Sequence, residues 1–596
     1  MNQRNARHPR ILMAGGAIAL ITAGTLVYGV ARMDKPTTPP PAVAADLSGA
    51  APSAQPSALV DIGPTPADRD IAFEFVLAFP GEAAMQDYAL SVGDPSSANY
   101  RHFLTAAEIG ARFGLGDDDL ARVTDWAAAH GINVMEMTPQ RIAIHVAAPA
   151  RVVEALFGVT MRDYADSVGR TFHAPIDAAH VPDALSGLVS DIGSLDARPS
   201  EHPAIWQPIA AGPAGGIKPP IIDRFYELDG LRALGLHGEG QTVAIVSLDG
   251  YDPADVAQFD KLAGISGPPV ERIKVKGGVD TPGDGQGEVN LDIDVLRAVA
   301  PKAQILDYEA ANGGGAIEAI IDQIVTDGRA DIVTISWGSC EAAKTAAGMA
   351  RRATSFAAAA THGISIFVAS GDHGAFDCIS ETGENHQISA DSPSSDVNAI
   401  GVGGTYAWML DDGTYIDEVG WEEPLIGWGT GGGLSTYYDR PAWQTGVGVD
   451  NARSNGKRQV PDVAALGDSD SGLLNVSEGV ANPGGGTSAA APFWAGFAVL
   501  VRQLAESEGV TGLGQLNKIL YEVAAAQPPG TVFHDVRRGG NLREEATTGW
   551  DYATGLGTPR GMPLARAIVD RIKAGPLRVA TRSEPHGVGT GRILLR

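Results

Sequence analysis

Five short, almost continuous apolar runs constrain this chain more than anything else in it. They cover residues 242–246, 303–308, 332–336, 364–369 and 399–402. Helical patterns lie between them at 253–263, 288–299, 316–326 and 341–362, and Asp252 stands where it would cap the first. A strand that is apolar on both faces must be covered on both faces. Alternation of such strands with helices predicts an α/β domain built on a doubly wound parallel sheet. In such sheets the active site lies beyond the carboxyl ends of the strands.

The chain has 596 residues, more than one compact domain accommodates. Arg4, Arg7 and Arg10 precede an uncharged apolar stretch at 11–31. That pattern predicts export, through either a membrane anchor or a long cleavable signal with Ala42, Val43 and Ala44 at the processing site. Residues 33–67, rich in Pro and Ala, read as an unpacked linker, with order beginning near Asp68. Strands and helices interleave over 68–198 and predict a small α/β unit. The Gly- and Pro-rich stretch 199–220 reads as an exposed, cleavable connection. The catalytic candidate is 221–575, and 576–596 is a polar tail.

A net charge of −27 argues against nucleic acid or an anionic membrane surface as partner and is compatible with work in acid. The two cysteines, Cys340 and Cys378, match no zinc spacing, and no H-E-x-x-H pattern occurs. Both follow consecutive strands near their carboxyl ends. A disulfide across the active-site rim and two buried thiols both remain open.

Three motifs carry chemistry. Gly484, Gly485, Gly486 and Thr487 lead into Ser488, followed by alanines and a long apolar run. This places a hydroxyl at a helix N-terminus, which suits either a nucleophile or an ordinary cap. Glu288 and Asp292 stand at i and i+4, on one helix face. If that face is buried they share a proton; if it is solvated they merely decorate the first turns. Asp372 follows a strongly apolar strand, within Ser370-Gly371-Asp372. Protonated, it could donate to an oxyanion; otherwise it caps a loop. No histidine motif supports a Ser-His-Asp triad of the usual kind.

Taken together and in this order, these motifs resemble the sedolisin family of serine-carboxyl peptidases, kumamolisin-like members in particular. The resemblance also rests on Ser336-Trp337-Gly338, Gly403-Gly404-Thr405, Pro461-Asp462-Val463-Ala464 and Phe533-His534-Asp535-Val536. In 68–198 it rests on Tyr100 to Thr105 and on Arg112-Phe113-Gly114, which are similar to the family's activation propeptide. It implies a subtilisin-like catalytic fold behind a small ferredoxin-like propeptide. It implies Ser488 as nucleophile, Glu288 as general base, Asp292 orienting Glu288, and Asp372 as the protonated oxyanion donor. It also implies Ca²⁺ held by the carboxylates of Asp535 and Asp551 and the carbonyls of Val536, Thr547 and Gly549.

Three departures from the family pattern stand out. Gly485 replaces a serine, His373 replaces a serine after the oxyanion aspartate, and Ser247 stands where many members carry a further acid. Trp337 is expected either in the core or lining the substrate cleft. Asp391 is expected in the pocket for the residue before the scissile bond, where it would favour a basic side chain. The whole reads as an exported, self-activating acid endopeptidase acting on peptides, with its own propeptide as intramolecular inhibitor. A neutral Ser-His-Asp hydrolase and a silent, calcium-stabilised surface-binding protein are the alternatives.

Overall fold

The computed structural model describes residues 59–166, 169–203, 216–379 and 387–575. The segment 11–31, most of the 33–67 linker, residues 204–215 of the connection and the 576–596 tail lie outside them. No helix among the described residues is long and apolar enough to cross a membrane.

The apolar runs form one sheet in the order Glu271–Lys274, Gln304–Glu309, Thr242–Ser247, Ile332–Ile335, Ser365–Ala369 and Ala399–Met409. All of these pair in parallel. Val463–Leu466 adds in parallel to Ala399–Met409, and Tyr415–Gly420 adds antiparallel. From Thr242–Ser247 the chain winds outward in one direction and later in the other, which creates the switch point at which such sheets build their sites. Helices Gln286–Val299 and Thr487–Ser507 pack on each other, and Thr487–Ser507 also packs on the central strands. Ala316–Asp327 and Ala346–His362 form a second pair. The last of these begins later than the sequence pattern indicates. Glu341–Ala343 forms a separate 3-10 turn, and Thr345 caps the helix proper.

The N-terminal unit is a four-stranded antiparallel sheet in the order Asn133–Met137, Ala143–Pro149, Asp70–Leu77, Val189–Gly193. With helices after its first and third strands, this is the ferredoxin-like arrangement. Order begins earlier than Asp68, contrary to the composition-based boundary. Val60–Pro64 pairs with Met161–Ala165, and Asp61 forms an ion pair with Arg162. Backbone pairing at an edge makes little demand on composition, so a Pro/Ala-rich reading overlooks it. The catalytic unit likewise starts before residue 221. Ile217 bridges to Leu473, and Pro219–Phe225 is a helix opened by its two prolines.

Helices Glu82–Val92 and Ala106–Phe113 share a core with the catalytic unit and pack on Ala346–His362. Thr105 and Glu108 form a reciprocal capping box at the start of the second. Leu104 N–H donates to the Thr361 carbonyl at 3.1 Å, and Gln140 Nε2 donates to the Asp322 carbonyl at 2.9 Å. Buried charge marks the same interface. Glu74 faces Lys276, Arg351 and His145. Arg352 lies between Glu318 at 2.6 Å and Glu201 at 2.8 Å. Immediately after Glu201, His202–Pro203 pairs antiparallel with Gly338 and Trp337.

Candidate active site

The helix Thr487–Ser507 starts at Gly486, whose φ of 84° favours a residue without a Cβ. Gly485 is glycine for a separate reason. A Cβ there would come within 2.8 Å of the Gly467 carbonyl and 2.9 Å of the Ser469 nitrogen. The alanines that follow let the helix lie close on the sheet, and Trp494 Nε1 anchors it to the Ala464 carbonyl at 2.8 Å.

Ser488, Glu288, Asp292 and Asp372 come together, and the first three have no solvent exposure. The Ser488 hydroxyl donates to Glu288 Oε2 at 3.0 Å. Ser336 donates from Oγ to Asp292 Oδ1 at 2.6 Å and lies 3.4 Å from the Ser488 carbonyl. Glu288 Oε1 and Asp292 Oδ2 have no other partner among the described residues, which is where a shared proton would sit. Burial first, and then the charge of Asp292, push Glu288 well above the carboxylate range. Burial does the same to Asp292, Ser336 opposes it, and Asp307 adds to it.

Asp372 hangs from the end of Ser365–Ala369 by way of Gly371, whose φ is 95° and whose absent Cβ would meet Asp377 at 2.5 Å. Thr487 donates its N–H and its hydroxyl to Asp372 Oδ1, each at 2.8 Å. Oδ2 has no partner among the described residues. Burial lifts this carboxyl to about 7 against those two donors. At acid pH it is therefore a neutral acid with its proton on Oδ2, the oxygen that accepts neither bond. The sequence motifs did not single out Thr487 or Ser336 for these jobs. Their positions next to Ser488 and Trp337 were the available signal.

Trp337 is buried and packs over Gly285, where a Cβ would come within 2.5 Å of its ring. It lines a cavity of about 680 Å³ together with Asp249, Gly285, His202 and Pro203. Asp391 opposes Cys340 across a short antiparallel bridge. Its carboxylate fills the space behind Gly338, and its Cβ lies beside Gly371. Cys340 and Cys378 form a disulfide with Cα atoms 4.8 Å apart, so of the two open thiol states the bridged one is found. His373 sits 5.0 Å from the Trp428 ring and leaves the Ser488–Glu288 bond untouched.

Asp535 and Asp551 lie on either side of the loop at 547–549. Asp535 Oδ1 accepts from Gly549 N–H at 2.7 Å, and Asp551 Oδ2 accepts from Thr547 N–H at 2.9 Å. Thr547 lies outside the left-handed region, so its side chain does not prevent a carbonyl there from serving as a ligand. Burial raises both carboxyls, Asp551 to about 7. Among the described residues no three His, Cys, Asp or Glu side chains converge, so any cation here needs backbone carbonyls.

Residues 57–198 match the pro-kumamolisin activation domain, and residues 278–535 match the subtilase family. Kumamolisin of Bacillus sp. (strain MN-32) is 31% identical over 533 residues, spanning 86% of this chain and 94% of the relative. The chain belongs to the sedolisin family of serine-carboxyl peptidases. Tripeptidyl-peptidase 1 of Bos taurus is 26% identical over 86% of this chain and 94% of its own length. The solved structure of Pseudomonas sedolisin, a serine-carboxyl proteinase complexed with pseudo-iodotyrostatin, superposes with a TM-score of 0.52. It is 28% identical and covers 61% of this chain and all of its own. Membership in the sedolisin family makes the N-terminal unit an activation domain and the sheet domain a serine-carboxyl peptidase.

Proposed function

We propose that the chain is an exported zymogen of an acid-active serine-carboxyl endopeptidase. The observation that carries this reading is the bond from Ser488 Oγ to a buried carboxylate, Glu288, at 3.0 Å, with a second carboxyl, Asp292, close behind it. Glu288 takes the Ser488 proton as Oγ attacks the peptide carbonyl. The tetrahedral oxyanion receives a hydrogen bond from the protonated Asp372 Oδ2 and from the free N–H of Ser488 in the first helical turn. Glu288 then passes its proton to the leaving amine, and water resolves the acyl-enzyme by the same route. Asp372 needs its proton to donate to the oxyanion, so activity falls as Asp372 ionises near 7.

The connection is the first substrate in this scheme. His202–Pro203 already pairs with the strand Trp337–Cys340 as an extended peptide would, which supports a first cut within the connection 199–220. Asp391 supports a preference for a basic residue before the scissile bond; cleavage profiling of Asp391→Ala against the parent should relax that preference. For Ca²⁺, the donor set is two desolvated carboxylates and loop carbonyls, all hard oxygens, which fits that cation. Asp535, Asp551, Val536, Thr547 and Gly549 would hold it, and it would tie down the C-terminal loop. Export follows from the N-terminal sequence alone, either anchored or cleaved.

The test is to lower the full-length zymogen to about pH 4, where carboxyl pairs of this kind hold one proton, and to follow its mass. Loss of the propeptide is expected in the parent and not in Ser488→Ala. A parent that stays intact, or a Ser488→Ala chain that processes itself, contradicts the reading.

A further inference from the structure

The helix that carries Glu288 has a first turn that its own sequence does not secure. Its N-cap residue is Gly285, which has no side chain to cap it, and the connection 275–285 before it has glycine at 277, 278, 283 and 285. Asp249 secures this turn from outside. It lies two residues past the end of the central strand Thr242–Ser247 and is buried. Its Oδ1 accepts from Gly250 N–H at 2.7 Å and from Gly283 N–H at 2.8 Å, and its Oδ2 accepts from Gly285 N–H at 2.9 Å. Trp337, at the end of the adjacent strand, closes on the same glycine. A Cβ on Gly285 would come within 2.5 Å of the Trp337 ring and 2.9 Å of Asp249 Oδ2. The Gly285 carbonyl accepts from Glu288 N–H at 3.1 Å, and the Glu288 carboxylate accepts from the Ser488 hydroxyl at 3.0 Å. Direct contacts therefore run without a gap from Asp249 to the nucleophile.

We infer that Asp249 is a positioning residue of the peptidase: it fixes the start of the helix Gln286–Val299 so that Glu288 stands within hydrogen-bond reach of Ser488. The inference rests on the peptidase reading above and adds a residue to it. Glycines leave a connection many conformations to lose, and a helix start leaves N–H groups without intrahelical partners. A displacement of about 1 Å at a reacting group costs roughly 10²-fold in rate, so a base on a loosely held first turn is a poor base. A carboxylate suits the task because both of its oxygens accept. An amide in its place would turn an NH₂ toward one of the glycine N–H groups, donor against donor. In the zymogen the activation domain leans on the same connection: Arg170 pairs with Asp284 at 2.9 Å, and its guanidinium lies over Gly283. Maturation removes Arg170. Asp249, Gly283 and Gly285 all belong to the catalytic unit, so their grip on the helix start outlasts it.

The experiment is a double-mutant cycle on full-length chains: the parent, Asp249→Asn, Glu288→Gln and the combined variant, each matured in acid by immobilised parent enzyme. It measures kcat and KM separately on an internally quenched peptide. With Glu288 in place, Asp249→Asn should lower kcat by roughly 10–10²-fold and leave KM unchanged. In the Glu288→Gln background the same substitution should cost nothing further, because no base is left to place. A role in packing alone would lower kcat by the same factor in both backgrounds. A role as a wall of the cleft would raise KM and spare kcat. Either result overturns the proposal. If Asp249→Asn does not fold, Asp249→Ser, which keeps one acceptor, is read through the same cycle. An active parent matched by Asp249→Asn overturns the role of Asp249 alone; a parent inert at every pH overturns the peptidase reading and the role of Asp249 with it.

Discussion

Two groups of acids lie equally deep in this molecule and behave in opposite ways. Glu288, Asp292 and Asp372 around Ser488 have no cation bonded to them, and burial raises all three. Glu74 and Glu201, at the contact with the activation domain, are as buried but are matched by Lys276, Arg351, Arg352 and Lys344. Burial works against their ionisation too, yet the neighbouring cations overcome it and hold Glu201 down at about 2. Burial therefore does not decide what an acid does; the charge placed beside it does. One group stores protons for chemistry. The other stays ionised and clamps the connection in the cleft, even in acid.

The largest expected break in this contrast comes from Glu288→Gln. Without a base, kcat should fall by roughly four orders of magnitude or more, whereas Glu201→Gln should leave the matured enzyme's kcat unchanged. Steady-state kinetics on one peptide checks both. Next comes Arg352→Met, which strands Glu318 without its cation and leaves Glu201 with Lys344 alone. Removing one partner of a buried pair costs about 3–5 kcal/mol, so urea unfolding of the variant in a Ser488→Ala background should show a loss of that order. Asp372→Ala should lower kcat about 10²–10³-fold. Asp372→Asn keeps a donor with no proton to lose, so its pH profile should extend further past neutrality than the parent's.

The smallest effect is on stability. Asp372, Asp307 and Glu418 all have folded-state values raised to about 7. Their contribution is complete below the ordinary carboxylate range and is lost as pH rises through that value. Glu201 has a depressed value, so its contribution is present above the ordinary range and is lost only as pH falls toward 2. Thermal unfolding of the Ser488→Ala zymogen should therefore come at a lower temperature at about pH 7.5 than at about pH 5, by a few degrees.

The sequence made the central strands legible because apolar runs such as Ile332–Ile335 are buried on both faces. It concealed the edge strand Glu271–Lys274, whose Glu-Arg-Ile-Lys residues face largely outward and carry no apolar pattern. It also concealed Val60–Pro64, an exposed strand held by backbone pairing. At the site, the four candidate groups that come together were legible because each sits in a short motif at an element end. Ser336 and Thr487 were not singled out, because a hydroxyl at a strand end or a helix start acquires its role only when a distant element meets it. The clamp on Glu201 was hidden for the same reason: Arg352 lies 151 positions away in the chain.

The central claim is that Glu288 and Asp292 hold one proton between them in acid. Infrared difference spectroscopy of the Ser488→Ala zymogen against Ser488→Ala/Glu288→Gln/Asp292→Asn, at about pH 5, reads that proton directly. The account requires a protonated-carboxyl stretch that disappears in the second protein. Identical spectra in that region would mean the pair is already ionised, and the carboxylate could not act here as described.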